Sequence, residues 1–217
     1  MADATETGEP LFSAKNRKTF KDPFMVNNPI TLQVLGICSA LAVTAQLKPS
    51  LVMGIAVVFV VAGANITISV MRKFIPGRVR IIVEMTVVAT LVILVDQVLR
   101  AYAFEVSKQL SLFVGLIITN CIVLGRLEAF AMGNKVWPSF LDGLGNGLSY
   151  AAVIAIVGFF RELMGSGQVL GFKVVPQALY DNLGYTNNGL MVLAPGAFII
   201  LGLLIWVQRT VSGHVED

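Results

Sequence analysis

The chain has 217 residues, 56% of them hydrophobic and only 13% charged, with a mean hydropathy of +0.79. A soluble domain carries roughly 25% charged residues, so an ordinary soluble fold is excluded and the chain falls in the membrane class. The net charge of +3 is spread over the connecting segments, which argues against nucleic-acid binding, and a single histidine, His214, excludes a histidine-rich metal site or a bis-histidine haem.

The opening "MADATETGEP" is acidic and polar and lacks the basic start and apolar core of a secretory signal. Residues 1–26 are expected to form a cytoplasmic tail, in part mobile and free to dock on a partner. Residues 27–209 form the membrane domain, and 210–217 a short cytoplasmic tail. Six apolar stretches follow in order. The first, Ile30–Leu47, is short and is interrupted by Gly36 and Thr44. After "KPS" comes Leu51–Met71; its "NIT" at Asn65 fits a glycosylation pattern but lies inside a span and is discarded. "RKFIPGR" leads into Val79–Leu99, which carries Glu84 and Asp96. Carboxylates inside spans are costly and mark candidate ion paths, although both stand near span ends, from which they can reach the interface.

The fourth stretch, Leu110–Gly125, is again short and is broken by Thr119, Asn120 and Gly125. Beyond it, Arg126 and Glu128 in "GRLEAFA" are expected to form a local ion pair or to dock a neighbour. The connection "MGNKVWPS" precedes the fifth stretch, Leu141–Phe160. There Asp142 either caps the helix or lines a sodium path, and Gly143 and Gly147 have the spacing of a close helix contact. The long segment "GSGQVLGFKVVPQALYDNLGYTNN" is expected to hold a short interfacial helix. The sixth stretch, Gly189–Val207, contains Pro195, which should kink it.

About 20 apolar residues cross the hydrocarbon, so the expected fold is all-α, with six transmembrane helices. With six spans, the side holding both termini carries eleven lysines and arginines against five on the other. The positive-inside rule therefore makes both termini cytoplasmic. The first and fourth spans lie three apart, so two homologous three-helix halves would run in opposite directions. Short, glycine-interrupted segments at matching places mark an inverted repeat with a site near the midplane.

Each of those segments holds one of the two cysteines, Cys38 in "LQVLGICSALAVT" and Cys121 in "LFVGLIITNCIVLG". Three readings stay open for them. A buried thiol usually behaves as a small hydrophobe, the pair can form a disulfide, or they can bind metal. Irregular backbone at membrane depth survives only where protein or a polar site covers it, and amides freed at a helix break favour an anionic neighbour. Two thiolates are half of the set that an iron–sulfur cluster needs, so any such centre requires a second subunit.

"NNPITLQVLGICSALAVT", "RIIVEM", "LVILVDQVLRAY", "LFVGLIITNCIVLGRLEAFAM", "PSFLDGLGNGL" and "GFFRELMGSG" closely resemble the membrane-subunit family shared by the sodium-translocating NADH:quinone oxidoreductases, Nqr, and the Rnf complexes. "VDQVLRAY" resembles the Nqr branch more than the Rnf branch. The resemblance runs from Asn27 to Trp206, with no counterpart for the tail. It implies a paralogous E-type partner in opposite orientation, with each chain giving two cysteines to one intramembrane 2Fe-2S cluster. The ligands here would be Cys38 and Cys121, with Asn120 a candidate hydrogen-bond donor to a cluster sulfur; helix packing is the alternative for Asn120. The resemblance places FAD, FMN and riboflavin in other subunits, and the partners it implies are E together with A, B, C and F. It implies electron relay from NADH towards ubiquinone in a sodium pump of the bacterial inner membrane. The chain agrees in lacking a dinucleotide fingerprint, since "GSGQVLG" has the wrong spacing. An Rnf-type ferredoxin:NAD subunit and a metal-free inverted-repeat transporter are the competing assignments.

Overall fold

A computed structural model of the chain describes residues 19–20, 22–23, 28–102, 115–169, 172–173 and 189–212. The expected interfacial helix, most of the N-terminal tail and residues 110–114 of the fourth stretch lie outside them. Among the described residues the regular structure is helical apart from a two-residue antiparallel pair, Gln168–Val169 with Phe172–Lys173.

The first stretch is not a spanning helix. Residues 28–36 are irregular, and α1 covers only Ile37–Val43, about 10 Å at 1.5 Å per residue. Val34 at φ 58 and Gly36 at φ 80 turn the chain into it. A left-handed β-branched residue such as Val34 is rare and marks local strain. Next, α2 runs Leu47–Met71. It begins earlier than expected and takes in "KPS", because a proline in the first turn lacks only an N–H that the helix does not use there. After a loop over 72–79 comes α3, Arg80–Tyr102.

The fourth stretch is broken as expected. Residues 115–118 make a helical turn, the chain opens at Thr119 and Asn120, and α4 covers Cys121–Arg126, continuing as a π-helical turn over Leu127–Ala131. The fifth is much longer than expected: α5 runs Val136–Ser166, about 46 Å, and takes in "VWPS". Gly167, left-handed at φ 65, ends it with its N–H on the Leu163 carbonyl, the usual glycine termination. The sixth stretch is α6, Gly189–Val192, then α7, Ala194–Ser212. Pro195 therefore starts a helix instead of kinking one, since the break lies before it, at Leu193.

By length and composition α2, α3 and α5 can each cross a membrane, and α7 supplies a shorter apolar helix. α2 and α5 form the axis of the fold and make its most extensive contact. Their seam is lined with small residues. A Cβ on Gly147 would sit 3.0 Å from the Val58 Cα, one on Gly143 3.0 Å from the Ala62 Cα, and one on Gly54 2.9 Å from the Ala151 Cβ. Gly143 and Gly147 thus do let the two backbones approach, as their spacing suggests. Asn65 lies wholly buried in this contact and donates to the Ser139 carbonyl at 2.9 Å, consistent with discarding its glycosylation. By contrast only 22% of the apolar window of α3 is buried, against 56% for α2 and α5. The exposed faces of α3 and α7, including Ile82, Leu94, Leu203 and Trp206, suit lipid or neighbouring subunits.

Part of the tail belongs with the helices. The Pro23 carbonyl accepts from Ser149 Oγ at 2.8 Å, and the Phe20 carbonyl lies against the space where Gly145 lacks a side chain. Phe20 and Pro23 thus dock on α5 of their own chain.

Candidate functional site

The two broken segments meet. The Gly36 amide donates to Cys121 Sγ at 2.8 Å, and Cys38 follows two residues later in the first turn of α1. Both thiols are free, with Cys38 exposed and Cys121 half-buried, so the disulfide alternative is not realised. An exposed Cys38 also departs from the packing of a buried hydrophobe.

A polar stripe on α5 holds the junction. Asp142, Asn146, Ser149 and Tyr150 are spaced by four, three and one, which puts them on one helical face. Asn28 donates to Ser149 Oγ at 3.0 Å and accepts from the Ile30 amide at 3.1 Å, pinning the irregular segment at its start. Tyr150, wholly buried, places its hydroxyl 2.6 Å from Ser39 Oγ. Ser39 donates to the Gly36 carbonyl at 3.0 Å and accepts from Asn120 Nδ2 at 3.0 Å. A serine hydroxyl has one proton and two lone pairs, so Tyr150 is the donor in its bond to Ser39, whose capacity is then full. The Asn120 oxygen caps α4 by accepting from the Ile122 amide. One Nδ2 hydrogen of Asn120 therefore joins the two segments. Gly36 is obligatory: its φ is left-handed, and a Cβ there would fall 2.8 Å from the Tyr150 ring.

The donor set is two soft thiols with an amide N–H aimed at one of them. Among the described residues no group of three or more His, Cys, Asp or Glu side chains gathers as a metal site. The chemistry fits half of a four-thiolate centre and no complete one.

The charged residues pair differently from the sequence expectation. Arg126 does not pair with Glu128. Its Nε donates to Asp142 Oδ2 at 3.0 Å, and a second short contact completes a bidentate pair. Glu128 pairs instead with Arg80 of α3. The cause is helical phase: residues two apart face different ways, and the π-turn redirects the chain between them. Asp142 lies in the second turn of α5, so it is no cap; it also accepts from Asn146 at 3.0 Å. Asp96 pairs with Arg100 one turn on at 2.9 Å. Glu84 differs from both. It is 1% exposed, and its Oε1 has no hydrogen-bond partner among the described residues.

Sequence reasoning missed Arg161 and Glu162, which fall just beyond the expected end of the fifth stretch at Phe160. Arg161 is 1% exposed. Its Nε donates to the Met191 carbonyl, Nη1 to the Leu41 carbonyl and Thr44 Oγ1, and Nη2 to the Val192 and Leu193 carbonyls. These are the C-terminal ends of α1 and α6, where a cation is favoured. Glu162 does the converse and accepts from the Leu47 amide at 2.6 Å at the start of α2. The signal available was "RE" inside an apolar run, which is costly unless each charge serves a helix end.

A family model described as "Rnf-Nqr subunit, membrane protein" matches residues 16–205, reaching into the tail that the sequence resemblance left without counterpart. Three curated relatives carry the name of the D subunit of Na(+)-translocating NADH-quinone reductase. That of Psychromonas ingrahamii is 60% identical, over 87% of this chain and 89% of the relative. That of Proteus mirabilis is 57% identical, over 93% and 96%. The Photobacterium profundum protein is 54% identical, over 97% and 96%.

Proposed function

The chain belongs to the Rnf-Nqr family of membrane subunits, and on that premise we propose that it is the D-type membrane subunit of a sodium-translocating NADH–quinone reductase. In that complex Cys38 and Cys121 would supply two of the four thiolates of an intramembrane 2Fe-2S cluster. One observation carries the proposal: the Gly36 amide donates to Cys121 Sγ across two broken segments that are 85 residues apart in sequence. Amide hydrogen bonds to ligand sulfur are characteristic of such centres. When bound, the cluster supplies a one-electron carrier at mid-depth, where a direct transfer across the whole hydrocarbon would be too long. This chain's residues hold the Cys121 sulfur and leave Cys38 open to a neighbour. An E-type paralogue in opposite orientation completes the cage. FAD, FMN and riboflavin belong to the remaining subunits, among A, B, C and F. The six stretches form two inverted three-helix repeats in the bacterial inner membrane, with both termini cytoplasmic. The relatives' names favour this assignment over the Rnf-type complex and over a metal-free transporter.

Iron content and electron paramagnetic resonance of the whole complex test it. Cys38→Ala and Cys121→Ala should each remove the same iron–sulfur signal. Unchanged iron and unchanged spectra in both variants would sink the proposal. For the sodium path we place Glu84 ahead of Asp96 and Asp142, because each aspartate already has an arginine partner in the chain while Glu84 keeps a buried oxygen free of any described partner. Glu84→Gln should change the sodium dependence of turnover; an identical sodium titration would remove it from the path.

A further inference from the structure

We propose that Tyr150 is a positioning residue for the Cys121 sulfur: through Ser39 and Asn120 it holds the Gly36 amide against that sulfur, and so raises the reduction potential of the cluster the two thiolates would hold. This inference rests on the proposed iron–sulfur role and deepens it.

Tyr150 acts on Gly36 in two ways. Its ring occupies the space a Cβ on Gly36 would enter, with Cε2 2.8 Å and Cδ2 3.2 Å from that position. Its hydroxyl donates to Ser39 Oγ at 2.6 Å, and Ser39 in turn donates to the Gly36 carbonyl at 3.0 Å. The ring fixes where Gly36 lies, and the hydroxyl chain holds the Gly36–Ile37 peptide, which is joined at the Gly36 Cα to the peptide that carries the N–H donor. Asn120, adjacent to Cys121, is tied to the same Ser39 oxygen at 3.0 Å. Donor and acceptor of the Gly36–Cys121 bond are therefore referenced to one atom, Ser39 Oγ, which α5 anchors through Tyr150. Ser39, Asn120 and Tyr150 are all buried, so water does not compete for these bonds. Partners behind the ligands orient them and set their basicity.

The direction follows from charge. A reduced cluster carries one more negative charge than the oxidised one, and an N–H donor on a ligand sulfur stabilises it more. Loosening the Gly36 amide should lower the potential without removing a ligand.

The test is a redox titration of the iron–sulfur paramagnetic signal in the intact complex, with iron content measured alongside. Tyr150→Phe keeps the ring and removes the hydroxyl. It should retain the iron, shift the midpoint potential downward and alter the g-values. Ser39→Ala breaks the same chain at the next link and should move the potential in the same direction, which decides the matter if Tyr150→Phe assembles poorly. Thr67→Val removes a hydroxyl whose bond, to the Gly63 carbonyl at 2.9 Å on α2, does not touch the junction, and should leave the potential unchanged. A wild-type potential in both Tyr150→Phe and Ser39→Ala overturns the inference. So does loss of iron from both in an assembled complex, or an equal fall in Thr67→Val. A cluster indifferent to Cys38→Ala and Cys121→Ala overturns instead the proposed role on which this one rests.

Discussion

Replacing Arg161 by lysine keeps the charge and a long apolar stem but should destabilise the protein strongly. The guanidinium offers five N–H donors and five acceptors receive them: the carbonyls of Leu41, Met191, Val192 and Leu193, and Thr44 Oγ1. An ammonium has three donors on one atom, so at least two acceptors are left. Thr44 can bear the loss, since its hydroxyl already donates to the Ala40 carbonyl at 2.6 Å, but at least one main-chain carbonyl is then stranded. Each stranded buried group costs about 1–3 kcal/mol, and the compact, strongly hydrated ammonium replaces a weakly hydrated planar ion. A total of about 2–4 kcal/mol follows, which for a chain of this size corresponds to a fall of roughly 4–16 °C in melting temperature. Arg161→Met strands more carbonyls but removes the buried charge, so it should be no worse than Arg161→Lys by a wide margin. The assay is the apparent melting temperature of this subunit within the detergent-solubilised complex, both variants beside wild type. If Arg161→Lys melts within about 1 °C of wild type, equivalent to well under 1 kcal/mol, the guanidinium is not the tie that joins α1 to α6.

Three further outcomes are expected. Gly36→Ala meets both a left-handed φ and the Tyr150 ring at 2.8 Å, so iron should be lost from the complex and the abundance of this chain should fall; full iron incorporation would show that the junction is more pliant than its geometry implies. Gly147→Leu presses against the Val58 backbone, 3.0 Å from where its Cβ must go, and should lower stability by about 1–3 kcal/mol, read as a fall in melting temperature. Asp142→Asn and Arg126→Gln should each destabilise the fold and be non-additive together, with a coupling of about 1–3 kcal/mol; additive effects on melting would mean that the bidentate pair contributes nothing specific.

Much of the architecture follows from local sequence. The apolar runs that became α2, α3 and α5 announce themselves by length and composition. The weakness of the first and fourth stretches is legible at Gly36 and at Thr119–Asn120, because a break in helix formation is decided by residues within a turn of it. The spacing of Gly143 and Gly147 exposes a packing seam for the same reason, as helical pitch relates residues four apart without reference to the rest of the chain. Boundaries were less legible. Pro49 and Pro138 each stand in the first turn of a helix, where proline is tolerated, so segments that read as connections belong to α2 and α5.

What local pattern does not carry is which side chain meets which across the bundle. Arg126 chooses Asp142 over Glu128, and Glu128 chooses Arg80, because the π-turn after α4 sets the direction in which each side chain leaves the helix. Arg161 resembles a loop charge until the ends of α1 and α6 are seen converging on it. The Gly36 amide reaches Cys121 only because α5 presents Ser149 and Tyr150 to one broken segment and Asp142 to the arginine that closes the other. The polar stripe on α5 is written at helical spacing, but its partners lie up to 126 residues away. They are selected by burial: each of these polar groups must find a donor or acceptor inside the fold, and packing alone determines which one lies within reach.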